Sequence, residues 1–395
     1  MKILTRHILV ELLKVFLVAL LSLTLMIVLF GIVKRGIENG LGPEQILRLL
    51  PYILPDALRF SLPATALFTA TTVYGRMSGD NEIVAAKSLG INPMSLLWPV
   101  LVLSFFLSLT AYWLNDLAVS WGGDGIQRVA IEAVDKIAYG MLRTQRSYST
   151  RQFSISVSRV EGRKLIEPIL TFSAAPGRPA LMVTAREAEL CRDPEENVLV
   201  IACRDLQIIG RGESNLQSTG TEEFAIPLDI ASNVNDTSRK PGRLALNVIP
   251  RMSVEGRTKI QREEQKQAVM AAYHMLTGEM LGLYGPEWTI HELTLRQLRE
   301  YLFRLRTEPP RRMSAGFSCL CFVLVGAPLA IRRRSASMLT SFFLCFLPIL
   351  IIYYPLLALG VGSAKEGVLP PEAVWTGNIL LALWGWWLLR RVIRY

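Results

Sequence analysis

The sequence predicts a six-span helical membrane bundle with a β-sandwich or jelly-roll domain inserted between spans 3 and 4. Three observations predict it. Of 395 residues, 51% are hydrophobic and only 19% charged, with mean hydropathy +0.33, whereas soluble domains carry nearer a quarter charged residues. The long apolar runs fall into two groups of three, at the two ends of the chain. Between them, residues 121–310 hold no run that could cross a bilayer and instead alternate polar and apolar residues between turn signals. The net charge of +10 points first to Lys- and Arg-rich cytoplasmic loops. No basic patch interleaved with aromatics points to nucleic acid.

The first run, residues 15–33, has bilayer-spanning length and follows Lys2, Arg6, His7 and Lys14. It is too long for a secretory leader, and Lys34-Arg35 rather than a small-residue cleavage site follows it. The reading is a retained helix with a cytoplasmic N-terminus. Residues 45–58 are amphipathic, carry Pro51 and Pro55, and lead into a second span ending near Tyr74. A third span covers 96–114.

Between spans 2 and 3 lies YGRMSGDNEIVAAKSLGINP, too polar to cross a membrane and too short for a domain. It reads as one short helix, residues 78–90. Ser78 or Asp80 is expected to cap it, Glu82 suits the positive end of the helix dipole, and Gly90 ends it. Ile83, Val84, Ala86 and Leu89 are expected to be exposed. Two readings stay open: a docking knob for another protein, or a connector lying flat in the interface.

From Trp121 onward a helical lead (125–138) precedes short alternating segments at 152–160, 164–173, 180–190, 197–209 and 222–228, with 244–249 as a last strand. Strands at this spacing predict a sandwich or jelly roll. Cys191 and Cys203 flank a turn at 193–197, and the hairpin register decides whether they can be bridged. Residues 257–280 and 293–305 read as helices. Apolar runs at 313–331, 338–360 and 374–389 complete six spans. With the N-terminus inside, Arg76, Lys87, Arg332–Arg334 and the C-terminal arginines are cytoplasmic and the β-domain is outside, as the positive-inside rule asks. The divisions are thus 1–120, 121–310 and 311–395.

Enzyme chemistry is missing. Residues 360–365 (GVGSAK) lack the GxxxxGK[ST] spacing, so the chain has no ATP site of its own. Three histidines, no HExxH and no paired CxxC argue against a metal, and no cofactor is expected. No serine has a GxSxG context, and no span carries the acid–base pair a membrane enzyme would need. Lys34 and Arg35 are unusual because they fall at the outer end of span 1. They are either snorkelling anchors or a site for an anionic lipid headgroup. Arg59 would join them, with Asp56 three residues earlier as its partner.

The block LPATALFTATTVYGRMSGDNEIVAAKSLGINPMSL, the order of three spans, β-insertion and three spans, and RRMSAGFSCLCFVLVGAPLAIRRR followed by Tyr353-Tyr354 and LPPEAVW together resemble the LptF/LptG permeases of the lipopolysaccharide export ABC transporter. The resemblance spans nearly the whole chain. It implies a six-helix bundle in the inner membrane with a periplasmic β-jellyroll, serving outer-membrane biogenesis. It implies a cytoplasmic ABC ATPase dimer, a paralogous six-span subunit and a bitopic jellyroll subunit as partners, with lipopolysaccharide or a similar anionic lipid as cargo. Glu82 would pair with a basic residue of the ATPase, with Ile83, Val84 and Leu89 as apolar contacts. Lys34, Arg35 and Arg59 would meet the lipid headgroup. Residues 253–307 depart from the pattern as a long, charged, helical connection. The competing reading is a non-transporting membrane scaffold whose β-domain binds envelope proteins.

Overall fold

The computed structural model describes residues 2–39, 43–123, 125, 139, 142–143, 146–149, 153–172, 181–193, 198–210, 215–227, 241–278, 285–333 and 338–394. The chain divides into two compact units. One comprises residues 1–28, 52–123 and 236–395, the other residues 29–51 and 124–235.

The first unit is helical. α1 (Lys2–Asn39) and α2 (Pro43–Gly79) each begin in one unit and end in the other. They are followed by α3 (Glu82–Ser88) and α4 (Pro93–Leu117). After the β-rich unit come α5 (Ile249–Thr277), α6 (Pro286–Arg333), α7 (Met338–Pro348), α8 (Tyr354–Lys365) and α9 (Thr376–Arg394). Single π turns extend α4 (Ala118–Gly122) and join α7 to α8 (Ile349–Tyr353).

Among the described residues, four helical stretches are long and apolar enough to cross a membrane: Ile3–Gly31, Pro93–Gly122, Trp288–Arg333 and Thr340–Lys365. The stretch in α6 is 67% buried, against 22% in α1 and 17% in 340–365. α6 is therefore the centre of the unit, with α4, α5 and α9 packed on it.

Small residues let the helices approach closely. A Cβ on Gly316 would lie 2.9–3.0 Å from the Tyr112 backbone and Cβ, and one on Gly385 would lie 2.9 Å from the Leu324 carbonyl. Apolar burial gives no advantage over lipid contact within a bilayer, so such close packing and interhelical hydrogen bonds hold the helices together. Ser108 Oγ accepts from the Leu320 amide (3.1 Å), and Asn378 Nδ2 donates to the Ser314 carbonyl (2.8 Å). Gly316→Ala is expected to lower stability in detergent by about 1–3 kcal/mol, the usual range for overpacking. A thermal melt indistinguishable from the parent would show that α4 and α6 do not meet as described.

Three sequence expectations change here. The helix expected at 293–305 and the span expected at 313–331 are one 48-residue helix, α6. Pro309-Pro310 do not break it; they only leave the carbonyls of Leu305 and Arg306 without their i+4 donors. Residues 244–249 form turns and the start of α5, not a strand. Leu244, Ile249 and Met252 pack instead on Leu305. The helix read from 257 begins at Ile249.

Among the described residues, the second unit holds an eight-stranded antiparallel sheet. β1 (Ser147–Ser149), β2 (Phe153–Ser156) and β5 (Ile169–Phe172) lead to the first half of β6 (Leu181–Asp193). β4 (Lys164–Ile166), carrying β3 (Arg159–Glu161) on its far side, pairs with the second half. β7 (Val198–Gly210) and β8 (Asn215–Pro227) continue from β6 as a meander.

The buried positions change phase in two neighbouring strands at one level. Val183 and Ala185, then Ala188 and Leu190, are buried in β6, while Ile201 and Cys203, then Leu206, are buried in β7. Asp205 takes a left-handed φ of 55° at this level, and the β7–β8 register shifts there. The irregularity bends the sheet while keeping its apolar face continuous. Tyr139 lies in this core; its hydroxyl accepts from the Leu190 amide (2.9 Å) and donates to the Arg163 carbonyl.

The register excludes the cross-hairpin disulfide. Cys203 lies opposite Ala188 and Cys191 opposite Val200. An offset of three strand residues is about 10 Å, beyond the roughly 7 Å between Cα atoms that a bridge tolerates. The helical lead expected at 125–138 lies almost entirely outside the described residues.

Candidate functional site

The short segment between α2 and α4 folds as a separate helix because the chain takes a left-handed turn at each end. Asn81 has φ 59° and ψ 15°, which stops α2 and starts α3. Neither Ser78 nor Asp80 caps α3. The capping position is Asn81, which makes no side-chain capping bond, and Ser78 donates its hydroxyl to the Ile331 carbonyl (2.6 Å) at the end of α6.

The other end agrees with the sequence. Gly90 has φ 77°, the Gly90 amide bonds the Lys87 carbonyl and the Ile91 amide bonds the Ala86 carbonyl. This is the paired-bond motif that satisfies the last carbonyls of a helix when glycine follows it. Asn92 then caps α4, its side chain accepting from the Met94 amide (2.9 Å), with Pro93 at the first helical position.

The end of α2 that leads into α3 is tied to α4 and α1, and α3 itself to α9. Tyr74 donates its hydroxyl to the Leu96 carbonyl (2.7 Å), and Arg76 pairs with Glu11 of α1. Lys87 Nζ donates to the Val392 carbonyl of α9 at 3.0 Å.

Burial divides the predicted contact residues. Ile83 (3% exposed) and Ala86 belong to the helical core, whereas Val84 is 42% and Leu89 78% exposed. Ile83 and Ala86 are therefore not exposed as the sequence suggested. They lie three apart on one side of α3, and a seven-residue helix has to bury one side to stay folded. Glu82 is exposed. Beside α3 runs an open groove of about 470 Å³ lined by Ser78, Ile83, Val84, Lys87, Ile331, Arg332, Arg391 and Val392.

The family described as "Lipopolysaccharide export system permease LptF/LptG" matches residues 6–391. The chain belongs to the LptF/LptG family. No curated protein matches it. Membership makes it a membrane permease of the lipopolysaccharide export type, from a family that works with other components of that system.

The headgroup residues expected of this LptF/LptG member are placed only in part. Lys34 and Arg35 lie on the last turns of α1, but their side chains are outside the described residues. Arg59 pairs with Asp56 at 2.8 Å, as its spacing predicted, and its guanidinium lies 4.7 Å from the Phe60 ring centre.

Sequence reasoning missed a second ionic centre in the LptF/LptG bundle. Glu308, 2% exposed, accepts from Arg311 (3.0 and 3.1 Å) and lies 3.8 Å from Lys365 and 4.0 Å from Arg312. Arg312 also reaches Asp116 of α4 (3.1 Å) and the Leu244 carbonyl (2.6 Å). Asp116 accepts the Leu246 amide as well (3.0 Å), so it ties the turn before α5 to α4. The signal was Glu308 and Arg312 four apart at the edge of an apolar run, hidden by placing a domain boundary at Pro310.

Proposed function

We propose that this chain is the transmembrane subunit of an ABC transporter that extracts lipopolysaccharide, or a related anionic envelope lipid, from the inner membrane. It passes the lipid through its own periplasmic β-jellyroll to a bitopic jellyroll subunit. It acts beside a paralogous six-span permease and hydrolyses no ATP itself. The energy comes from a cytoplasmic ATPase dimer gripping α3 through Glu82, Val84 and Leu89, with Ile83 anchoring the helix to the bundle. The observation that carries this reading is the family match over residues 6–391.

Six spans follow if α2 and α9 also cross. The polar side chains that lower the apolar average of α2 are hidden from lipid. Ser61, Thr65, Thr69, Thr71 and Thr72 are all buried. Thr65 and Thr71 donate back to carbonyls one turn earlier (2.9 Å each), and Ser61 meets Thr24 of α1 at 2.9 Å. α9 is short, and its arginines cluster at its last turns. Both termini and α3 are then cytoplasmic and the sheet is periplasmic.

An ATPase-driven extractor needs a sheltered path for acyl chains. Exposing a multi-acyl lipid costs roughly 0.8 kcal/mol per CH₂, or tens of kcal/mol for the whole molecule. An apolar groove in the β-domain removes most of that penalty.

The test is to purify the tagged chain gently and identify what accompanies it. Recovery of a P-loop ATPase and a second six-span chain, with ATP hydrolysis, supports the transporter. Recovery of the chain alone, inactive with candidate ATPases, favours the scaffold. Lys34→Asp with Arg35→Asp is expected to reduce cross-linking of lipid cargo several-fold, since Lys and Arg hydrogen-bond phosphate, while membrane insertion is unchanged. Unaltered cross-linking would leave these two residues as interfacial anchors.

A further inference from the structure

We propose that the groove beside α3 binds the phosphate headgroup of an anionic phospholipid as a resident ligand distinct from any transported cargo. Among the described residues that line it, three are cations, Lys87, Arg332 and Arg391, and none is acidic. They come from three elements, α3, the end of α6 and the end of α9, so the fold rather than local sequence brings the charges together. Lys87 is held in place by its bond to the Val392 carbonyl, which leaves two ammonium donors for another acceptor. Ile83, Ile331 and Val392 supply an apolar floor.

The neighbouring surface favours a lipid over an acidic protein segment. Arg391 lies 5.1 Å from the centre of the Trp387 ring, and Arg390 lies 5.0 Å from that of Trp386. Both tryptophans are about half exposed, at 52% and 49%. Tryptophan rings of this kind settle at headgroup depth, and arginines beside them meet the anionic leaflet. The groove thus opens where phosphates lie, and its volume of about 470 Å³ is enough for a phosphoglycerol headgroup. Bound there, the lipid would join α3 to α6 and α9 through charge. The inference needs neither the cargo nor the ATPase of the transport reading.

The experiment is native mass spectrometry of the full-length chain, delipidated in detergent and titrated with phosphatidylglycerol or phosphatidylcholine. The parent should retain phosphatidylglycerol about tenfold more than phosphatidylcholine, as two or more basic contacts to an anionic lipid imply. Arg332→Gln/Arg391→Gln should lower the ratio at least several-fold, leaving only the preference that Lys87 supplies. Arg296→Gln/Arg304→Gln, exposed on α6 and away from the groove, should keep it. Thermal melts of both variants confirm folding. Millimolar inorganic phosphate should not displace the lipid. Equal retention of both lipids by the parent overturns the proposal, as does an unchanged preference in the groove variant. Displacement by phosphate would make the groove a free-anion site. Loss of ATPase recovery in the groove variant with its lipid preference intact would make it a protein contact.

Discussion

Glu82→Lys is expected to reduce recovery of the ATPase with the tagged chain at least tenfold, and transport with it, while the chain accumulates and melts like the parent. Glu82 opens α3 on its exposed side. A carboxylate there gains only about 0.3–1 kcal/mol from the helix dipole, so reversing its charge scarcely touches folding. Across an interface the change is larger, because removing one partner of a desolvated charge pair costs about 2–5 kcal/mol and each 1.4 kcal/mol is tenfold in affinity. Lysine would also set a like charge against the basic partner residue that the proposed docking supposes. Val84→Ala and Leu89→Ala should each weaken the same association less. Ile83 is the wrong residue for such a test, because it is buried in the bundle and its loss would disturb folding and docking together. Wild-type ATPase recovery and transport by Glu82→Lys would remove α3 from the coupling role.

What the sequence disclosed follows from what each signal measures. Gly90 was legible because a positive φ after a helix almost demands glycine. The strands were legible from alternation, although the 152–160 and 164–173 segments each divide in two, the second around Glu167 at φ 49°. Exposure in α3 was misread because seven residues hold too little periodicity to show which side turns inward. Asn81 was passed over because Ser78, Asp80 and Asn81 are equally good capping residues and their close spacing does not say which of them starts α3. The structure uses Ser78 to hold Ile331, 253 positions away, and sequence spacing says nothing of that. The groove has the same origin, since Lys87, Arg332 and Arg391 lie far apart in the sequence until the fold gathers them.

The Glu308 centre makes the second large prediction. Glu308→Leu is expected to destabilise the helical unit by about 3–5 kcal/mol, the usual penalty when one member of a buried ion pair is removed. Arg312 is nearly as buried as Glu308, with side chains 5% and 2% exposed, so it would lose a neighbour without gaining water. Arg311 and Lys365 are 44% and 33% exposed and can turn outward, which keeps the penalty from growing further. Arg312→Leu should cost a similar amount, because it takes a cation from both Glu308 and Asp116 and removes the donor to the Leu244 carbonyl. Glu308→Leu/Arg312→Leu should then be milder than the sum of the two single changes by more than about 1 kcal/mol, as residues in one ionic network are not additive. Denaturation of the four proteins in one detergent measures the cycle. Strict additivity would mean that Glu308 and Arg312 act independently at their 4.0 Å separation, leaving Arg311 and Lys365 as the partners that hold the buried carboxylate. A coupling of the expected size would identify the Glu308–Arg312 pair, extended through Asp116 to the Leu246 amide, as the fixed point on which α4, α6 and the turn before α5 converge.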